Sequence, residues 1–141
     1  MTAKSFFLKI GGWLQATEMF ERPRKKLPGK WQLFEYFVDE KEELLHFEEK
    51  DLKARNQFLE IEFLEQNYSR QSNIPVSLIE NSKSGKWSTA KNFVTLLDEE
   101  NFRESTEFQF AFEKGNLKLL KKNAFGKIEF FGFFRKINSK V

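Results

Sequence analysis

Tyr68 and Arg70 are the side chains of this sequence that could anchor the polar group of a small molecule. They alternate within a short segment, so they would share one face if that segment is a β-strand. An arginine on an inward face would need an anionic partner, such as a ligand carboxylate or the side chain of Glu35. The alternative is that Arg70 faces solvent and Tyr68 packs at an edge of the sheet.

The other reactive side chains form no catalytic pattern. The single histidine, His46, lies in a polar, acidic segment, so we expect a solvated loop residue rather than a haem ligand. The chain has no cysteine, which excludes a thiol nucleophile, a disulfide framework and a thiolate metal site. No phosphate-binding loop or calcium-binding loop is present. We therefore expect no metal, no cofactor and no catalysis, with an enzyme on the same scaffold as a third reading.

The N-terminal segment has the pattern of a helix. Residues 4–21 are predicted to form one amphipathic helix, since its apolar side chains recur at three- and four-residue spacing. The residues on this face are Phe6, Ile10, Trp13 (or Leu14), Thr17 and Phe20. A basic linker between Pro23 and Pro28 ends the helix. We assign residues 1–28 to this helix and linker, and expect the helix to pack on or across one end of the domain that follows. A membrane-surface anchor is the alternative.

From Gly29 onward the helical period gives way to alternation, which indicates strands. Strands are predicted over residues 30–38, 58–63, 68–72, 86–89, 93–97, 106–113, 117–121 and 127–136. Residues 39–55 are expected to form a long loop or a short helix. Lys114-Gly115-Asn116 predicts a tight hairpin, because glycine supplies the positive φ that such a connection needs. About eight strands joined by short turns favour a closed antiparallel barrel or a sandwich.

Three short motifs in order carry a family resemblance. Gly29-Lys30-Trp31 opens the first strand, Gly85-Lys86-Trp87 lies in the middle, and Arg135-Lys136 closes the last strand. This arrangement resembles the lipocalin-like branch of the calycin superfamily, especially its small bacterial members, over residues 29–137. The resemblance implies a mainly β, eight-stranded up-and-down barrel over residues 29–141. It also implies that Trp31 closes one end and that Arg135 lies across its ring.

The inward face of such a barrel determines its function. An eight-stranded barrel is filled by side chains or holds one small ligand. The predicted ligand-binding residues are Phe37, Phe63, Tyr68, Arg70, Phe108, Phe110, Phe112, Phe130 and Phe134. Phenylalanine-lined cavities suit an acyl-chain or flat ligand, so we expect non-catalytic binding of a small hydrophobic or amphipathic molecule. The alternative is that the rings fill the barrel.

Charge and hydropathy indicate where the protein is located and which partners it could bind. No apolar run approaches the roughly 20 residues of a membrane helix, and no export signal is recognised, so a cytoplasmic location is expected. The net charge is +3, with basic side chains concentrated at both ends and acidic ones in the middle. Seven basic residues could meet if the first and last strands are neighbours: Arg22, Arg24, Lys25, Lys26, Lys118, Lys122 and Lys136. A filled barrel that binds a macromolecular or anionic partner through this face is the alternative function, with weak contact to anionic surfaces and without nucleic-acid binding.

Overall fold

Nine strands and one short helix make up the computed structural model of the chain, which describes residues 26–74, 84–98 and 105–137. The strands are β1 (Gly29–Glu40), β2 (Glu43–Phe47), β3 (Leu59–Phe63), β4 (Asn67–Ser72), β5 (Ser84–Ala90), β6 (Phe93–Asp98), β7 (Ser105–Glu113), β8 (Asn116–Lys122) and β9 (Ile128–Ile137). The helix α1 (Glu49–Ala54) lies between β2 and β3. The predicted helix over residues 4–21 and most of the linker lie outside the described residues.

The sheet closes on itself. Strands β3 to β9 follow one another in chain order, each antiparallel to the next, and β9 pairs with β1. The closing ladder runs from Lys30 opposite Ile137 to Val38 opposite Phe130. The expectation that the first and last barrel strands are neighbours is therefore confirmed. The result is an eight-stranded antiparallel barrel with β2 as an additional strand.

Strand β2 was not predicted. It pairs with the second half of β1 through a two-residue turn at Lys41 and Glu42, with Glu40 opposite Glu43. Both turn residues have positive φ values, 51° and 65°. Tight hairpins with this geometry usually carry glycine or asparagine, and neither is present here, so the turn has no sequence signal. The expected loop or short helix over residues 39–55 is therefore a hairpin followed by α1.

The α1 helix lies at the barrel end where β1 finishes and β3 begins. Its side chain Leu52 is 4% exposed and belongs to the interior cluster. A reciprocal capping box between Glu48 and Asp51 fixes its first turn. No helix within the described residues has the length and apolar character that crossing a bilayer requires.

The opposite end of the barrel is closed by side chains. Leu27 is fully buried, and its carbonyl oxygen accepts a hydrogen bond of 2.8 Å from the Trp31 indole nitrogen Nε1. The ring of Trp31 lies 5.9 Å from that of Phe112, between centroids. Among the described residues, this end is therefore filled by packed side chains.

Candidate functional site

Six of the predicted phenylalanines face the interior: Phe63, Phe108, Phe110, Phe112, Phe130 and Phe134. Their rings pack on other interior rings. Phe110 and Phe112 meet edge to face at 5.9 Å, and Phe63 meets Trp87 in the same way at 5.4 Å. Such contacts are the favourable geometry for aromatic pairs in a close-packed core. These phenylalanines therefore belong to the packed interior of the barrel.

Phe37 faces the outside of the barrel, so its assignment to the inner face was wrong. The ladder between β1 and β9 shifts between Leu33 and Glu35, and this irregularity places one extra residue, Phe34, in β1. A bulge of this kind reverses the alternation that follows it. Tyr36 therefore points inward, and Phe37 stacks on His46 outside the barrel with ring centroids 4.1 Å apart.

Tyr68 and Arg70 both face the interior from β4. Opposite them on β3 are the interior residues Phe63 and Ile61, respectively. Tyr68 is 1% exposed and Arg70 is 7% exposed. The guanidinium nitrogen Nη1 of Arg70 donates a hydrogen bond of 3.2 Å to the Ser72 hydroxyl. The sequence alternative in which Arg70 faces solvent is therefore wrong.

The electrostatics of Tyr68 reflect this burial. Removal from water raises the pKa of its hydroxyl from 10.0 to about 12. The positive charge of Arg70 acts in the opposite direction, and the negative charge of Asp98 adds to the increase. Tyr68 is thus a neutral hydroxyl with a charge of each sign near it.

A pocket of about 460 Å³ adjoins Tyr68. It lies beside the described part of the ladder between β4 and β5, in which Asn67–Ser69 lie opposite Ser84–Lys86. Its lining residues are Asn67, Tyr68, Ser84, Gly85, Lys86, Leu97 and Asp98. The register places Tyr68, Gly85 and Asp98 at interior positions and the neighbouring residues at exterior ones. The pocket therefore lies at the border between the barrel interior and its surface.

Most of this lining was missed by sequence reasoning. Of the nine predicted binding residues, Tyr68 alone lines this pocket. The alternation of side chains along a strand could have identified two of these residues. Gly85 lies two residues before the interior side chain Trp87, and Asp98 lies two residues after the interior side chain Leu96, so both positions face inward. Neither residue is among the predicted binding residues.

The strand topology and the direction of these side chains together define the fold. An up-and-down meander of eight barrel strands, closed between its first and last barrel strands, is the lipocalin architecture. The fold is lipocalin-like. No protein family matches the sequence by its pattern, and no curated protein matches it. Among solved structures it is similar to a lipocalin-like protein from Bacteroides uniformis, with a TM-score of 0.45 and 15% identity over 79% of this chain and 99% of that one.

The cation over Trp31 in this lipocalin-like barrel is Lys136, not Arg135. The Lys136 ammonium lies 5.6 Å from the Trp31 ring centroid. Arg135 faces outward, stacks over Phe34 at 4.5 Å and forms an ion pair of 2.8 Å with Glu49. The expected pairing was therefore displaced by one residue, because only alternate residues of β9 reach the Trp31 side. Gly29 accommodates Lys136: a Cβ at Gly29 would lie 2.5 Å from the lysine Cε.

Glu35 does not partner Arg70, and His46 is not a solvated loop residue. Glu35 is on the outer face of β1, where its carboxylate oxygen Oε2 lies 2.7 Å from Nε2 of His46 in β2. The bulge that turns Phe37 outward also places Glu35 outside, on the same face as His46. This histidine is therefore part of the outer surface and remote from the pocket.

The predicted basic face does not form as one surface among the described residues. Lys26 and Lys136 lie at the closed end, each over an aromatic ring. Lys122 is at the opposite end of β8, and Lys118 is buried on the outer face in an ion pair with Glu113. Arg22, Arg24 and Lys25 lie outside the described residues. The structure thus gives no support to a continuous cationic patch.

Proposed function

We propose that this protein binds a small amphipathic molecule without transforming it, at the pocket between β4, β5 and β6. The observation that supports this most is the buried, inward-facing side chain of Arg70, two residues from the pocket residue Tyr68 on the same face of β4. Arginine presents a rigid fork that matches a carboxylate or phosphate. We expect the ligand to carry an anionic group.

The arrangement along the barrel axis supports an amphipathic ligand. Towards the closed end, the interior neighbours of Tyr68 are Phe63, Trp87 and Leu96, which form an apolar floor. Towards the α1 end, the interior side chain that follows on β4 is Arg70. An apolar group would rest on the floor while a polar group points to Arg70 and the Tyr68 hydroxyl.

A micromolar affinity requires both the apolar group and the anionic group of the ligand. Burial of about 200 Å² of apolar ligand surface supplies roughly 5 kcal/mol at 25 cal/mol/Å², from which the costs of association are subtracted. A hydrogen bond to a charged group adds about 1.5–3 kcal/mol. The volume of about 460 Å³ is within the range of small-molecule pockets. The ligand would therefore bind in the micromolar range only with its polar anchor.

Two features favour binding over catalysis. The single histidine is held by Glu35 on the outer face, away from the pocket. Within the described part of the chain, no three histidine, aspartate or glutamate side chains are grouped to hold a metal ion. The pocket itself offers a neutral phenol, an amide, a hydroxyl and two opposite charges, which suit recognition.

A fluorescent fatty acid tests the proposal. We expect dansyl-undecanoic acid to bind the protein saturably in the micromolar range, with a blue-shifted emission, and to be displaced by dodecanoate. Arg70→Met should weaken binding by about tenfold or more, since it removes a charge-assisted hydrogen bond. Arg70→Lys should retain part of the affinity, because it keeps the charge and loses the fork.

The matched control is Lys122→Met, which removes one exposed positive charge at the end of β8. It should leave the affinity for the probe unchanged, whereas a purely electrostatic attraction would fall equally in both variants. Absence of saturable binding in the unmodified protein, or equal binding by Arg70→Met, would contradict the proposal.

A further inference from the structure

Asp98 is a half-buried carboxylate that faces the inside of the barrel from the end of β6. Val94 and Leu96 precede it at alternate positions and belong to the interior cluster, so Asp98 lies on the same face of the strand. Its side chain lines the pocket together with that of Tyr68. An acidic side chain at an interior position needs an explanation, because a carboxylate partly removed from water requires hydrogen-bond donors or a positive charge.

Other carboxylates of the sheet show how this chain normally meets that requirement. Asp39, Glu60 and Glu113 face outward, and each forms an ion pair with a lysine. Within the part of the chain that the structure describes, the Asp98 carboxylate forms neither an ion pair nor a hydrogen bond. The pocket therefore contains a negative charge to which the described residues supply no direct partner.

The strands beside Asp98 leave space next to its carboxylate. Asp98 lies opposite Gly85 in β5, and Gly85 lies opposite Tyr68 in β4. The three residues form one row across the inner face of the sheet, and the middle position carries no side chain. Adjacent strands are about 4.8 Å apart, so the backbones at Tyr68 and Asp98 are about 10 Å apart. A ligand group can therefore lie over Gly85, between the phenol and the carboxylate.

Two opposite charges act on this row of residues. Burial is the main cause of the raised pKa of Tyr68, while the charge of Arg70 opposes the increase and that of Asp98 adds to it. Arg70 and Asp98 thus act on the same hydroxyl from two different strands, β4 and β6. Lys86, the other charged residue of the pocket lining, is exposed on the outer side of β5. A ligand group over Gly85 would therefore have a cation on one side and an anion on the other.

We propose that Asp98 binds an ammonium group of the ligand, so that the ligand is an amphipathic zwitterion. Such a molecule has an apolar chain, an anionic group and a neighbouring amine, as in a long-chain α-amino acid. The role of Asp98 rests on the proposed function, in which the apolar chain lies on the interior floor and the anionic group points to Arg70. The ammonium would lie over Gly85 and donate charge-assisted hydrogen bonds to the Asp98 carboxylate.

Asp98 would make the pocket discriminate between ligands of similar size and shape. Arg70 alone would accept any fatty acid of suitable length, because its fork requires only a carboxylate. The Asp98 carboxylate attracts an ammonium and repels a second anionic group, so attraction and repulsion both contribute to the selectivity. A ligand without the amine would leave this carboxylate in the pocket without its cationic partner.

Displacement of dansyl-undecanoic acid by two molecules of the same size tests the role of Asp98. 2-Aminododecanoate carries the ammonium, and 2-hydroxydodecanoate carries a neutral hydroxyl in its place. At pH 7 the amine should bind the unmodified protein about tenfold or more tightly than the hydroxy acid. In Asp98→Asn this ratio of dissociation constants should fall by about tenfold or more, because the amide keeps the shape of the side chain and loses its charge. Asp98→Glu should retain part of the ratio.

Glu107→Gln is the matched control, because it removes an exposed carboxylate from the outer face of β7 and should leave the ratio unchanged. Equal binding of the two molecules to the unmodified protein would overturn the role of Asp98, while binding of an anionic amphipathic ligand would stand. This comparison needs no variant, so it decides even if Asp98→Asn does not fold. A preference that persists in folded Asp98→Asn would also overturn it. If neither molecule nor dodecanoate displaces the probe, the proposed function itself is contradicted.

Discussion

Tyr68 combines full burial with a titratable hydroxyl, so its charge state is linked to folding. Its pKa is raised from 10.0 to about 12 by burial, and the charge of Arg70 offsets part of that effect. Because the folded state holds the proton more tightly than the unfolded chain, this stabilisation is complete below pH 10. It is lost as the pH rises towards 12, by about 1.4 kcal/mol per pH unit.

The chain has only two tyrosines, which makes this titration measurable. In Tyr36→Phe the absorbance change of ionised phenol reports Tyr68 alone, and its midpoint should lie near pH 12. The free energy of unfolding of this variant should fall between pH 10 and 11.5, and a further Tyr68→Phe should remove that component. A midpoint close to 10 would show that the hydroxyl is in contact with water.

Gly132 is a second residue whose environment makes a sharp prediction. A Cβ at this position would lie 2.6 Å from the Phe130 ring and 2.9 Å from the Leu33 side chain. Gly132→Ala should therefore destabilise the protein by about 1–3 kcal/mol in urea unfolding, because the packed interior has to shift. In a Phe130→Leu background the added cost should be smaller, since the crowded ring is gone. Equal costs in both backgrounds would place the strain elsewhere.

At the scale of elements, alternation predicted most strands and failed where the backbone departs from it. Seven of the predicted strands agree with β3 to β9 because they alternate or are bounded by turns such as Lys114-Gly115. In β1, the bulge at Phe34 reverses the faces of Glu35 and Phe37, and a bulge leaves no mark on composition. The hairpin at Lys41 and Glu42 was missed for a similar reason, since neither residue type signals positive φ.

The α1 helix should act as a cover at the barrel end where β1 finishes. Its only buried side chain, Leu52, connects it to the interior cluster. Leu52→Ala should lower the free energy of unfolding by about 2–5 kcal/mol and increase hydrogen exchange in α1 and β2. The neighbouring exposed change Lys53→Ala should stay within about 0.5 kcal/mol of the unmodified protein. Similar small effects of both variants would show that α1 is not anchored through Leu52.

At the scale of the whole molecule, closure of the sheet creates both the packed aromatic interior and the pocket beside Tyr68. The closure was predictable from the strand count and hairpin rhythm. Alternation placed Arg70 on the same face as Tyr68 and left open whether that face is the inner one. The position of the pocket was not predictable, because it depends on how β4, β5 and β6 twist and pair, which no single segment encodes.

The most direct test of the account is a titration of the isotope-labelled protein with dodecanoate, followed by nuclear magnetic resonance. The account predicts saturable shifts confined to β4, β5 and β6, with the side-chain Nε–H of Arg70 and the indole N–H of Trp87 among the affected signals. Shifts that do not saturate, or that appear only along the outer faces of β8 and β9, would contradict it.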